Sequence, residues 1–267
     1  MDWHEIVNDD FLIDGVEQPV SINYCPLTGS AMLWKGDMEA NNPTFGTSGL
    51  LYNSNLIMYD RETGSWWSQM LEMGINSVKR LEIPDRLQVI ETTWGTWRQM
   101  YPETILLTDE TGFSRPYGLY PYGSFKTDNA ILFEVSNPND NRLHRKERVL
   151  GINVGDASKV YPISSFSADV TVINDTVGTM NVVATGSSEL NFGAIFNRQL
   201  EDCTTLNFTA VQDQLPVVME DEEGNQWDVF GVAVSGPRTG EQLEKTNSYI
   251  AYWFAWSTFF NNASIYQ

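Results

Sequence analysis

The chain has 267 residues, 42% of them hydrophobic and 19% charged, a balance that fits a folded globule and excludes a disordered chain. Its 35 acidic against 16 basic residues give a net charge of −19. That charge repels phosphate backbones and anionic surfaces and argues against a nucleic-acid partner.

In chain order, strands are predicted over residues 18–24 and 31–34, flanking the polar turn Pro26-Leu27-Thr28-Gly29. Strands over 56–60 and 66–71 flank Arg61-Glu62-Thr63-Gly64, with Gly64 at the tight position of a hairpin. A short helix is predicted over 93–101, capped by Thr92 or Thr93 and stopped by Pro102. Residues 107–147, rich in Pro, Gly, Asn and Asp, read as a long functional or connecting insertion. Residues 148–154 and 159–162 read as strand, turn and strand. Strands over 217–220 and 226–232 flank Glu220-Asp221-Glu222-Glu223, which reads as a solvated hairpin tip and lacks the ligand spacing of a calcium loop. A second helix is predicted over 248–260. The longest unbroken apolar run, Tyr249 to Trp256, has eight residues, far short of a membrane span. The opening Met1-Asp2-Trp3-His4-Glu5 does not read as a signal peptide.

An internal repeat underlies this order. Ile6-Val7-Asn8-Asp9 matches Val172-Ile173-Asn174-Asp175 at an offset of 166, and Trp34 meets Phe196 at 162. Gly64 meets Gly224, Trp67 meets Trp227 and Trp94 meets Phe254, all at 160. The offset only shrinks, as two small deletions in the second copy would produce. Residue 1 then corresponds to residue 167, so the first copy lacks a counterpart of the leading strands 148–166. An exposed or borrowed edge near residues 3–9 is expected, either open to self-association or covered by the 107–147 insertion.

The palette for chemistry is thin. There are two His and two Cys, and no glycine-rich phosphate loop, GxSxG elbow, HExxH or CxxC. Two cysteines allow one disulfide at most. His4 stands just before one predicted strand and Cys25 at the end of the next, so the two would meet at one end of a sheet. The repeat supplies a control: Val170 stands opposite His4 and Ser187 near Cys25, while the Asn-Asp pair occurs in both copies. Asn8-Asp9 and Asn174-Asp175 therefore read as structural, each holding a turn. His4 and Cys25 read as a site kept in one copy. Three readings stay open for Cys25: a buried hydrophobe, a disulfide with Cys203, or a reactive thiolate or metal ligand. Thiolate plus imidazole suits copper or zinc, with Glu5 or another carboxylate needed to fill out the set. His144 among Arg142, Arg145 and Lys146 reads as a surface residue, Asp60-Arg61 as a turn ion pair, and Trp66-Trp67 and Trp94-Trp97 as core or, where exposed, as a face on which a carbohydrate could stack.

A family resemblance rests on an ordered set of motifs. Trp3-His4-Glu5-Ile6-Val7-Asn8-Asp9, Tyr24-Cys25-Pro26-Leu27-Thr28-Gly29-Ser30 and the run from Phe45 through Asn55 resemble the domain-of-unknown-function family 3179. So do Met58-Tyr59-Asp60-Arg61-Glu62-Thr63-Gly64-Ser65, Tyr161-Pro162 and Trp253-Phe254-Ala255-Trp256. The resemblance implies an extracytoplasmic home and no established activity. Many members read Cys-Pro-Leu-Cys where this chain has Cys25-Pro26-Leu27-Thr28, and Thr28 weakens a dithiol reading because the resolving cysteine is missing.

The expected fold is β-rich α+β, a duplicated, mostly antiparallel strand unit with short helices. The expected organisation is a first copy over 1–106, an insertion over 107–147 and a second copy over 148–267, packed as one compact unit. The expected function is a thiol/imidazole site at Cys25 and His4, either a soft-metal centre with Glu5 or a place for thiol chemistry. The alternative is a binding or assembly module without chemistry, using aromatic surfaces or open strand edges.

Overall fold

The computed structural model describes residues 1–13 and 15–267. The chain forms two compact units, and neither is continuous in sequence. The first comprises Met1–Val89, Thr108–Lys146 and Ala251–Asn261; the second comprises Ile90–Leu107, Glu147–Ile250 and Asn262–Gln267. Helix α1 (Trp94–Met100) belongs to the second unit and helix α2 (Trp253–Phe259) to the first. Thr93 caps α1 by accepting from the Thr96 amide at 3.2 Å, and the helix ends just before Pro102.

In the first unit, β1 (Ile6–Ile13), β2 (Val16–Cys25), β3 (Ser30–Lys35), β4 (Phe45–Tyr52), β5 (Asn55–Asp60), β6 (Trp66–Ser68), β7 (Met73–Gly74) and β8 (Arg86–Leu87) make two antiparallel sheets. Their orders are β1-β2-β3-β8 and β4-β5-β6-β7, so β1 and β4 are edge strands. The β4–β5 hairpin turns through Asn53 and Ser54, both at positive φ, the geometry of a tight two-residue turn. Trp34, Phe45 and Trp67 form the aromatic centre, with ring centroids 5.5–6.0 Å apart. No helix or strand is formed between α1 and Arg148, and the segment 108–146 packs as loops within the first unit.

The second unit holds β9 (Arg148–Val154), β10 (Ala157–Pro162), β11 (Thr171–Val177), β12 (Met180–Ser187), β13 (Phe192–Asn197), β14 (Phe208–Ala210), β15 (Val217–Asp221), β16 (Gln226–Asp228), β17 (Ala233–Ser235), the first half of β18 (Tyr249–Tyr252) and β19 (Ser264–Ile265). They form the sheets β11-β12-β13, β14-β15-β16-β17 and β18-β9-β10-β19; the pairs of the first two sheets and the β9–β10 pair run antiparallel, and the short β10–β19 pair runs parallel. Val183, Phe192, Phe196 and Trp227 centre one apolar cluster, and Ile152, Tyr161, Val182 and Ile195 the other.

The fold is β-rich with two short helices, as the composition suggests. Local geometry recurs at the paired positions. The Asn8 side chain donates to the Phe45 carbonyl at 3.0 Å and accepts from its amide at 2.9 Å; Asn174 makes the same two bonds to Phe208, at 2.8 and 2.9 Å. The Trp67 indole donates to Asp60 and the Trp227 indole to Asp221, each at 2.9 Å.

Five expectations need correction. The Asn-Asp pairs lie inside β1 and β11, where each asparagine clamps a neighbouring strand and holds no turn. Asp221 is 5% exposed and satisfies Trp227 and Asn225, so only part of the acidic run is solvated. Asp60 binds Thr63 and Trp67 while Arg61 binds Thr44 and the Phe45 carbonyl, so the two make no turn ion pair. Residues 249–252 are strand, and only Trp253–Phe259 is helical. Trp67 is core as read, whereas Trp66 and Trp94 are exposed.

Candidate functional site

Cys25 ends β2, where the chain turns through Pro26, Leu27 and Thr28. The Cys25 carbonyl accepts from the Thr28 and Gly29 amides at 3.2 and 2.8 Å. Gly29 takes φ +61°, and a Cβ there would stand 2.9 Å from the Tyr252 ring, so the turn needs glycine twice over. The Cys25 side chain is 2% exposed and directs its Sγ to the Ser54 carbonyl at 3.8 Å. Burial raises the thiol above its ordinary range, and bonds from Thr28 and the neighbouring backbone offset this only in part. At neutral pH this is a protonated thiol. Both cysteines are free, Cys25 buried and Cys203 exposed.

The Glu5 carbonyl accepts from the Tyr24 amide at 2.7 Å, which continues the β1–β2 ladder beyond Ile6–Asn23 and sets His4 level with Cys25. The side chains take different partners. His4 Nε2 meets the Tyr117 hydroxyl at 2.6 Å, Tyr117 meets Thr111 at 2.5 Å, and the imidazole lies 5.3 Å from the Phe113 ring. Tyr117, Thr111 and Phe113 all come from the 108–146 segment. Among the described residues, no group of three or more His, Cys, Asp or Glu side chains is placed to hold a metal ion, so His4, Glu5 and Cys25 are not gathered as a ligand set. The His144 Nδ1 accepts from the Lys146 amide at 3.2 Å.

A cleft of about 240 Å³ opens beside Cys25. Leu50 and Leu51 of the edge strand β4, Leu56 of β5 and Phe133 give it an apolar lining, and Glu5 and Tyr122 add a carboxylate and a phenol. Burial, then the Glu5 charge, raises the Tyr122 hydroxyl and keeps it a neutral donor. The 108–146 segment is fastened here by the Ser54 hydroxyl to the Phe133 carbonyl at 2.7 Å and by the Ser136 amide to Asn53 at 2.9 Å. Further along, the Lys146 ammonium bonds the Ala130 carbonyl and lies 3.5 Å from the centre of the Phe125 ring.

Behind the thiol lies a buried polar network that sequence reading missed. Asn55 Nδ2 donates to Thr28 at 2.9 Å and to Gln69 at 2.7 Å; Ser30 donates to Gln69 at 2.8 Å; Gln69 Nε2 donates to Asn23 at 2.9 Å. All five residues are fully buried. In the second unit the strand pairing sets Phe192 where the first has Ser30, and the repeat offset sets Val229 opposite Gln69. Aligning the two halves of the sequence would have revealed this polar-for-apolar exchange. Such a network narrows the side-chain rotamers around Cys25, and each bond lost leaves a costly unpaired group.

Chemically, the arrangement offers an apolar recess with a carboxylate and a phenol at its lining and an unionised thiol in its wall. It can hold a small apolar group and recognise a polar end. No curated protein and no solved structure matches the chain. The family model described as a protein of unknown function, DUF3179, matches residues 1–263, and the chain belongs to that family.

Proposed function

We propose that the protein is a ligand-binding module whose site is the cleft beside Cys25, taking a small, mainly apolar molecule with a cationic or hydrogen-bond-donating end. The lining carries this reading: leucines and a phenylalanine surround a single carboxylate, Glu5, with Tyr122 beside it. Apolar walls with a few placed polar groups are the usual make-up of small-molecule sites. A copper or zinc centre on His4 and Cys25 draws less support, because the imidazole is engaged by Tyr117 and the thiol is protonated. The extracytoplasmic location implied by the family resemblance is part of the proposal, and fractionation of the native host tests it.

Thermal-shift titration with hexylamine, hexanol and hexanoate tests the binding reading. The amine should stabilise most and the acid least. Glu5→Gln should erase the preference, and Leu51→Trp, which narrows the cleft, should weaken all binding. If none of the three shifts the wild-type midpoint, the cleft is not a binding site.

We also propose that residues 6–106 and 172–266 are copies of one ancestral unit, with 107–147 inserted between them. The support is the shared strand order and the repeated Asn–Phe and Asp–Trp bonds. Superposition of the paired strands in an experimental structure tests it, and a spread above about one strand spacing of 4.7–4.9 Å would count against common descent.

A further inference from the structure

In the second unit the β9–β10 hairpin covers one face of β11 and β12. The Asp175 carboxylate of β11 pairs with the Lys159 ammonium at 2.5 Å and accepts from the Tyr161 hydroxyl at 2.7 Å. Lys159 and Tyr161 stand two positions apart on β10, so they share one face of that strand. Beside this polar contact, Ile173, Val177 and Ala184 are 9%, 3% and 0% exposed, in one apolar cluster with Ile152 of β9 and Tyr161 of β10.

The first unit presents the same face without that hairpin. Strand register fixes the match. Asn8 pairs with Ser21 and Ser21 with Trp34, as Asn174 pairs with Val183 and Val183 with Phe196. The bond from the Asp10 amide to Asp9, at 2.9 Å, repeats the bond from the Thr176 amide to Asp175, at 2.7 Å. Asp9 therefore stands where Asp175 does. It is exposed, and among the described residues its carboxylate accepts from the Asp10 amide alone. Val7, Phe11 and Ile22 stand where Ile173, Val177 and Ala184 do, and all three are half-buried rather than buried. The face thus keeps the aspartate and its apolar neighbours, and it has neither the cation nor the cover.

We propose that the β1–β2 face around Asp9 docks a β-hairpin of a partner protein, one that presents a lysine and an aromatic residue two positions apart on the same strand face. The lysine answers the Asp9 carboxylate, and the aromatic and apolar side chains of the hairpin cover Val7, Phe11 and Ile22. A second copy of the chain is a poor occupant, since it carries the same charge of −19 and its own Lys159 is held by Asp175. The ion pair lies at the surface, so it selects the partner more than it holds it, and its share falls as salt is added. The proposal takes its template from the reading of the two halves as copies and is independent of the Cys25 cleft. Superposition tests the copy reading, and the experiment below tests docking alone.

The probe is a fluorescein-labelled cyclic peptide carrying residues 149–162, in which ring closure holds the β9–β10 pairing that a free hairpin keeps only marginally. Anisotropy titration with the full chain should show saturable binding of one peptide per chain. Asp9→Asn, which keeps an acceptor for the Asp10 amide, should weaken binding at least fivefold. Asp10→Asn makes the same charge change on the opposite face of β1 and should leave binding within twofold. A peptide with Lys159→Gln should bind the wild type and the Asp9→Asn protein equally. Circular dichroism and thermal midpoints confirm that each variant is folded. Absence of saturation overturns the proposal, as does an equal response of the Asp9→Asn and Asp10→Asn proteins. A dimer of the chain alone, seen by sedimentation and broken by the peptide, gives the face to a second copy and overturns it as well.

Discussion

The two thiols differ in environment, and that difference can be read directly. Cys203 is exposed and Cys25 is 2% exposed with its thiol raised by burial. A disulfide exchange reagent at pH 7.5 should therefore react quickly with one thiol per native chain and with two after denaturation; two fast thiols would contradict the buried, protonated Cys25. Lys146 gives a second residue-level prediction. Burial, offset only in part by Asp128 at 3.9 Å, pulls its ammonium down to about 8. Below that value both folded and unfolded chains carry the proton and the penalty of burying the charge is fully present. Between about 8 and the ordinary lysine value near 10.4, the unfolded chain holds a proton that the folded chain has shed, so stability rises with pH. Urea unfolding of the wild type and Lys146→Met across pH 7–11 should show the difference between them growing in favour of the wild type in that window. A flat difference would mean that Lys146 titrates normally.

At the scale of elements, the paired asparagines and aspartates act as strand-to-strand clamps. Asn8→Ala and Asn174→Ala each remove two bonds and leave a part-buried amide and carbonyl to find new partners, a loss of about 1–3 kcal/mol apiece. Asp60→Ala and Asp221→Ala orphan a buried indole N–H and turn amides and should cost a similar amount. Chemical denaturation of the four variants measures this, and losses below about 0.5 kcal/mol would show that the clamps are incidental. Hairpins were legible in the sequence because their signals are local: a polar turn, a glycine at positive φ such as Gly64, and flanking apolar residues. The second helix was drawn too long because an unbroken apolar run carries no period that separates strand from helix. Cys25 and Glu5 stood out by rarity and position. Tyr122 and Phe133 did not, since a loop sequence holds no record of the strands on which it settles. Ser30, Asn55 and Gln69 each pass for a turn or surface residue until the fold brings them together.

For the molecule as a whole, the charge of −19 sets behaviour that no single contact decides. Repulsion among the carboxylates opposes compaction, so the thermal midpoint should rise as sodium chloride goes from 10 to 300 mM, where screening shortens to within about 10 Å. The same charge leaves nothing to displace counterions from a duplex, and salt-sensitive DNA binding in a mobility assay would refute that expectation. No helix among the described residues is long and apolar enough to cross a membrane. The discontinuous make-up of the two units bears on how the protein is made. The first unit includes Ala251–Asn261, and the second includes Ile90–Leu107. During synthesis β1 to β8 cannot complete their own unit, because its helix α2 follows the whole of Glu147–Ile250 in the chain. The early strands must wait as a partly built intermediate, with β1 and β4 open at their edges, while the rest of the chain is translated. A chain cut shortly before Ala251 would leave the first unit, with its Cys25 cleft, without helix α2 although most of that unit's residues were present.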